Sequence, residues 1–204
     1  MDLAIADLSP GKRYRLMTAL VVPRPIAWIT TLAPEGHVNA APFSYFNVLG
    51  SDPLVVAVGF ARHADGREKD TALHIRATGR FTVNLVDESV AEAMHATSAP
   101  LPPEASEIEQ VGLETVAMGA PGDGWSPRVA GVPAAMACRE HATHLVGQTR
   151  IVLGVAERLY VRDSLADERG YVDLDAVRAV GRLGGARYTR LDPFSLGPRP
   201  PAET

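Results

Sequence analysis

The run Arg24-Pro25-Ile26-Ala27-Trp28-Ile29-Thr30-Thr31, its turn Ala33-Pro34-Glu35-Gly36 and the return Asn39-Ala40-Ala41-Pro42-Phe43-Ser44-Tyr45-Phe46-Asn47 leave the chain few options. Together they read as a β-hairpin. From Ile26 the residues alternate, with Ile26, Trp28, Thr30 and Leu32 facing one way and Ala27, Ile29 and Thr31 the other. That pattern suits a strand with both faces partly covered. Pro34 and Gly36 form an ordinary hairpin connection. Pro42 has no N–H to give to a ladder, so the return strand must bend there or lie at a sheet edge. Beyond it, Phe43 to Asn47 alternate aromatic rings with small hydrogen-bonding groups, where a plain core strand would carry Val and Ile. Rings beside hydroxyls and amides suit a flat aromatic ligand with polar edges and a phosphate tail.

The rest of the chain reads as one domain built around such strands. Its 204 residues are 46% apolar, enough for a substantial core. Ser9 and Pro10 open a short helix; Leu54 to Phe60 form a strand too continuously apolar to have a wet face. Asp70 or Thr71 caps a helix that ends at Gly79, and Phe81 to Val86 alternate as a strand. Asp87 or Ser89 caps a second helix, to about His95. Residues 99 to 124 form a surface excursion with a helical turn near Glu104 to Val111. Pro133 to Arg139 and Arg150 to Val161 are two further strands, the second interrupted at Gly154 as at a bulge. Asp173 to Val180 is a short helix, Gly184-Gly185 turns the chain into Tyr188 to Leu191, and the tail 197–201 is frayed. The domain spans residues 1–192, with 193–204 as a C-terminal tail.

Several function classes are disfavoured. Formal net charge is −4, and the 20 basic residues are scattered, so no basic run suggests nucleic acid or an anionic membrane surface. The apolar runs fall far short of the ~20 residues that span a bilayer. The start Met1-Asp2-Leu3-Ala4 has no basic segment followed by an apolar block, predicting no secretion signal, and the lone Cys138 fits a reducing cytoplasm. Neither a nucleophile elbow, nor a P-loop, nor a dinucleotide fingerprint is present. Cys138, His141 and His144 are spaced three apart, but in a loop-like segment without a fourth ligand they predict no metal site.

Lys69-Asp70-Thr71 stands at a predicted helix N-terminus, where free N–H groups and partial positive charge favour phosphate. Taken alone, these residues read better as an Asp cap beside a solvated lysine. Thr30 and Thr31 read as strand formers on a partly exposed strand, a very common role, or as backbone and hydroxyls lining a ligand. Asn84, polar within an apolar strand, calls for a backbone partner.

Taken together, Arg24 to Thr31, Asn39 to Asn47, Ser51-Asp52-Pro53, Lys69-Asp70-Thr71, Phe81 to Leu85, Ser106-Glu107 and Arg182 to Tyr188 resemble the flavin reductase-like FMN-binding split-barrel family. The resemblance covers roughly residues 12 to 192. It implies a mainly β fold: an antiparallel split β-barrel of Greek-key type with short peripheral helices, forming a homodimer with FMN near the subunit interface. It also implies that Lys69, Asp70 and Thr71 lie near the FMN phosphate. Trp28, Ile29, Thr30, Thr31, Ala41, Pro42, Phe43, Ser44, Tyr45, Phe46, Asn47 and Ser51 then surround the ring and ribityl chain, with Arg24 close by. Ser44 and Asn47 are the hairpin's foremost candidates.

The implied activity is hydride transfer from NAD(P)H to flavin, supplying reduced flavin for release or to a flavin-dependent oxygenase. No residue is required as acid or base, and none is named catalytic. Several relatives place a histidine before the strand ending in Gly, to position NAD(P)H. Thr149 stands there in this chain, with His141 and His144 as substitutes from the preceding loop. That departure favours an alternative, an FMN-binding electron carrier without efficient nicotinamide turnover. A barrel holding pyridoxal phosphate is a further alternative.

Overall fold

Residues 1–197 are described in the computed structural model. Ser9 caps helix α1 (Pro10–Leu20), its hydroxyl accepting from the Lys12 N–H at 3.4 Å. Strands β1 (Ala27–Leu32) and β2 (Val38–Phe43) form the expected hairpin, with Thr30 opposite Ala40. β2 has no partner beyond β1, so Pro42 sits on an edge strand, where its missing N–H is tolerated. The return does not run on to Asn47 as one strand. It bends at Ser44-Tyr45, and Phe46 opens β3 (Phe46–Ser51), which pairs with β4 (Leu54–Phe60) across a turn at Asp52-Pro53.

Next come α2 (Asp70–Thr78), β5 (Arg80–Asn84), α3 (Ala91–Ala96), α4 (Glu107–Val111) and the two-residue strands β6 (Thr115–Val116) and β7 (Arg128–Val129). The long hairpin β8 (Ala134–Val146) and β9 (Thr149–Val161) is followed by α5 (Leu174–Val177), β10 (Val180–Arg182) and β11 (Tyr188–Arg190). The main sheet has the order β2-β1-β5-β8-β9-β4-β3, antiparallel throughout. Its two edge strands are consecutive in the chain and joined only through Ser44-Tyr45. The sheet must therefore roll until those edges meet at one corner, which makes a barrel split between β2 and β3. The Gly59 N–H donates to the Tyr45 carbonyl at 2.7 Å, and the Phe43 and Phe60 rings pack edge-on at 4.6 Å. These contacts pin the corner.

The alternation in β1 divides two cores. Ala27 and Ile29 point into the barrel with Val56, Val58, Phe81, Val83 and Ile75 of α2, while Ile26 and Trp28 point outward to Met94, Ile108, Val129 and Val132. Both faces are covered, more fully than the partial cover the pattern predicts. Asn84 is fully buried: its amide donates to the Trp28 carbonyl at 2.8 Å, and its carbonyl accepts from the Val129 N–H at 2.9 Å.

Several local expectations are corrected. β4 does have an open face: Val56, Val58 and Phe60 are buried, but Val55, Ala57 and Gly59 are half-exposed. Because that face is itself apolar, the sequence reads as fully covered. The segment with His141 and His144 is not a loop, because β8 runs through it and both residues are exposed. Register shifts fall at Ala137/Cys138 and at Glu140/Ala142, the second directly opposite Gly154, which pairs with Glu140, so the irregularity expected at Gly154 is there with its extra residue on β8. Gly154 also answers a packing need: a Cβ there would stand 2.5 Å from Phe81 Cζ. Neither Asp70 nor Thr71 caps α2; Lys69 is the N-cap, and no side chain bonds to that end. Val90, with no side-chain cap, precedes α3, while Asp87 folds onto Ser89. β5 stops at Asn84, and α5 stops at Val177 because Arg178 turns left-handed, φ 46°. The frayed tail predicted for 197–201 lies, from residue 198, outside the described residues.

Candidate functional site

The edge strand β2 carries the wall of a cleft. A chamber of about 170 Å³ at its start is lined by Asn39, His63, Lys69, Asp70, Thr71 and Glu107, closed by Pro100 and Leu101. A second, of about 220 Å³, lies past the end of β2 and is lined by Tyr14, Arg24, Ser44, His95, Arg182 and Tyr188. Pro42, Phe43 and Ser98 line both, so the two chambers adjoin along the wall of one cleft. An aromatic ring sits at its middle and a cation near each end.

The Lys69 end is built by α2. No side chain caps the helix; the Ala72 N–H is taken by the Lys69 carbonyl at 2.9 Å, which leaves the Asp70 and Thr71 N–H groups at the helix start beside the lysine. Thr71 is buried and its Oγ1 accepts from Asn39 Nδ2 at 3.0 Å, which fixes the first turn against β2. Lys69 Nζ lies 3.3 Å from His63 Nδ1. Glu107, from α4, is the acidic wall: its Oε2 accepts from the Ala40 N–H at 3.0 Å, and burial pushes its pKa up. Behind the wall, Thr31 Oγ1 and His74 Nδ1 are 3.1 Å apart, and burial pulls the imidazole below its ordinary range.

The other end is organised by Arg24, 6% exposed. Its guanidinium donates to the carbonyls of Thr18 (2.7 Å), Val21 (2.9 Å) and Leu183 (3.1 Å) and to Ser44 Oγ at 3.3 Å. It makes no ion pair among the described residues. A buried cation held only by neutral oxygens thus stands beside Ser44. His95 Nδ1 is 3.1 Å from Tyr188 Oη, with the Arg182 guanidinium over the Tyr188 ring at 4.4 Å. A larger basin of about 540 Å³ opens on the far side of that pair, along α3 and the β10–β11 hairpin, and shares only His95 and Tyr188 with the cleft.

Of the residues singled out in the sequence, the cleft collects Arg24, Ala41, Pro42, Phe43, Ser44, Lys69, Asp70 and Thr71. The others are placed elsewhere. Trp28, Ile29, Thr30 and Thr31 are fully buried in the sheet. Trp28 Nε1 donates to Thr97 Oγ1 at 2.9 Å and Thr30 Oγ1 to the Pro127 carbonyl at 2.5 Å, so these groups are committed inside the protein. Phe46 belongs to the inner core. Tyr45 is exposed at the corner, while Asn47 and Ser51 are exposed along β3, with Asn47 Oδ1 accepting from the Val48 N–H at 2.9 Å. The bend at Ser44-Tyr45 causes this, because everything past it leaves the wall of the cleft. Thr149, His141 and His144 line neither chamber. Cys138 points into the core, its thiol pushed up to about 12 by burial, and no cluster of metal-ligating residues occurs among the described residues.

The sequence reading missed His63, His95, Ser98 and Tyr188 as wall residues. Ser98 to Leu101 gave no signal, because the edge of a Pro- and Ser-rich excursion looks the same whether it folds back or not.

Comparisons with known proteins agree with this architecture. The family model for a flavin reductase-like domain matches residues 17–178. An uncharacterized protein of Deinococcus radiodurans is 42% identical over 95% of this chain and 87% of its own length. The structure superposes on 2-nitrobenzoate 2-nitroreductase of Pseudomonas fluorescens with a TM-score of 0.87 and 33% identity, covering 98% of this chain and 96% of that one. On nitrilotriacetate monooxygenase component B of Bacillus cereus the TM-score is 0.88 at 28% identity, covering 96% and 98%.

Proposed function

The chain belongs to the flavin reductase-like FMN-binding split-barrel family, and on that footing we propose that it holds FMN noncovalently in the β2 cleft and passes a hydride from NAD(P)H to flavin. The observation that carries this reading is the groove itself, with a lysine beside an uncapped helix end at one extremity and a buried arginine at the other. The residues present fit the group. Lys69 and the first turn of α2 hold the phosphate, Phe43 and Pro42 pack along its body, and Arg24 and Ser44 offer polar contacts to the ring edge.

When bound, FMN supplies the redox chemistry. The chain's part is to bind, orient and exclude water. The network Asn39–Thr71 with Thr31–His74 keeps α2 in place, and the Arg24 fork keeps α1 and the β10–β11 hairpin against the other end. The likeness to a monooxygenase component B supports delivery of reduced flavin to a partner oxygenase. Homodimer formation is supported by Val48 and Leu49, exposed on the edge strand β3, and by the open apolar face of β4. No helix among the described residues is long and apolar enough to cross a membrane.

A second reading is favoured by one observation: neither Thr149, which stands where the family resemblance implies a histidine, nor His141 nor His144 lines the cleft. An FMN-dependent electron carrier would need no such group. The absorption spectrum of the purified or FMN-titrated protein tests both, since oxidised flavin has two visible bands and pyridoxal phosphate does not. Anaerobic stopped-flow mixing then separates them. Rapid bleaching by NADH or NADPH establishes the reductase, while FMN that binds and stays oxidised leaves the carrier.

A further inference from the structure

We infer that His63 is a second grip on the terminal phosphate and sets the preference of the cleft for a flavin monophosphate over the unphosphorylated flavin; this rests on the FMN reading above.

The 61–69 segment after β4 is closed by a tight turn. The Gly66 N–H donates to the His63 carbonyl at 2.9 Å and the His63 N–H to the Arg67 carbonyl at 2.8 Å. Both bonds use the backbone alone, leaving the imidazole free to line the chamber opposite Lys69. An ammonium group can only donate, so the 3.3 Å contact runs from Lys69 Nζ to His63 Nδ1. That contact has two effects. It orients the lysine, whose long side chain would otherwise sample many rotamers, and it assigns the ring proton of a neutral imidazole to Nε2. The chamber therefore holds a point charge and a directed N–H donor side by side, an arrangement suited to the several oxygens of a phosphate monoester.

Charge at that end shows why one cation is insufficient. Asp70 and Glu107 line the same chamber, and neither has an ion-pair partner among the described residues. A single lysine facing two carboxyls makes a poor anion site. His63 holds that lysine in place and adds an uncharged donor, and the uncapped α2 end adds its partial positive charge, so phosphate oxygens meet donors from three directions. Riboflavin, lacking the phosphate, gains nothing from the pair.

The test is a double-mutant cycle on full-length protein, with His63→Ala, Lys69→Ala and the double variant titrated with FMN and with riboflavin by flavin fluorescence or calorimetry. His63→Ala should lower FMN affinity about tenfold or more, the scale of one lost charge-assisted hydrogen bond, and leave riboflavin unchanged. The double variant should lose less than the product of the single losses, because each residue acts through the other. His63→Gln, which can still accept from Lys69 and donate outward, should recover part of the loss. An unchanged FMN-to-riboflavin ratio in a His63→Ala protein that still binds FMN would overturn the His63 assignment alone. A wild-type protein that binds neither flavin would overturn both it and the FMN reading.

Discussion

Asn39 Nδ2 donates to Thr71 Oγ1 at 3.0 Å, and both residues are almost entirely buried. This bond joins the edge strand β2 to the first turn of α2, so it sets the distance between the aromatic wall of the cleft and its lysine end. Since Thr71 accepts from Asn39, its own hydroxyl proton remains available on the cleft side. Thr71→Val keeps the shape and removes the oxygen. It strands a buried amide, so it should cost about 1–3 kcal/mol of stability, read as a shift in urea midpoint at constant slope. It should also weaken FMN. If Thr71→Val binds FMN as wild type does, the first turn of α2 does not shape the site.

Gly154 tests how tightly the barrel interior is filled. A Cβ at this position would meet Phe81 Cζ at 2.5 Å, closer than real side chains come, and Cys138 Cβ at 3.3 Å, a tight contact. Gly154→Ala should therefore destabilise by about 1–3 kcal/mol, as overpacking does. Pairing it with Phe81→Leu should recover part of that loss, so the two changes are not additive. Additive losses would show that the ring does not hold the position the structure gives it.

Much of this architecture was legible in the residues, and the reasons differ by element. The double-faced alternation of β1 predicted a strand with both faces partly covered, and the two cores meet it at Ile29 and Trp28. Pro42 predicted a bend or an edge, and β2 is an edge strand. The failures lie where the decisive fact is tertiary. Nothing local distinguishes a strand that continues through Ser44-Tyr45 from one that bends there to close a barrel. That single bend decides whether Asn47 and Ser51 face the cleft or solvent. Likewise Thr30 and Thr31 look like ligand hydroxyls until Pro127 and His74 are found to occupy them.

His74 gives stability a pH dependence of definite sign. Burial depresses its pKa from the ordinary 6.5; nearby His37 adds to that, while Asp70 and Glu35 oppose it. The unfolded chain therefore binds more protons at this site than the folded one. Its contribution is fully present above pH 6.5 and is lost as pH falls toward the depressed folded value. Glu107 acts in the opposite sense, because its raised pKa favours the folded state at low pH and that contribution fades as pH rises. Unfolding by urea from pH 7.5 to 5 should show wild type losing stability on the acid side, and His74→Gln, which keeps a polar partner for Thr31, should flatten that loss. An identical slope in the variant would place the titrating group elsewhere.

Arg24 joins pieces of chain that the barrel ladder does not hold. Its side chain bonds to carbonyls in and just after α1 (Thr18 and Val21) and to Leu183 after β10, while its own N–H and C=O exchange bonds with Arg182 at 3.0 and 2.9 Å. The guanidinium is suited to this because its donors fan out in a fixed plane toward several oxygens at once; a lysine ammonium at the same depth cannot reach all of them. Arg24→Lys keeps the charge but should leave at least one buried carbonyl unpaired, at a cost of about 1–3 kcal/mol. The loss should be local. Hydrogen exchange in peptides covering 10–22 and 182–190 should accelerate, while those from β8 and β9 stay protected, because those strands draw their stability from the inner core and one another. FMN affinity should fall with it, because Ser44 loses its donor from Arg24 Nε and the wall of the second chamber loosens. Acceleration spread evenly over the barrel would mean that Arg24 supports the whole fold and is not a clamp on the cleft.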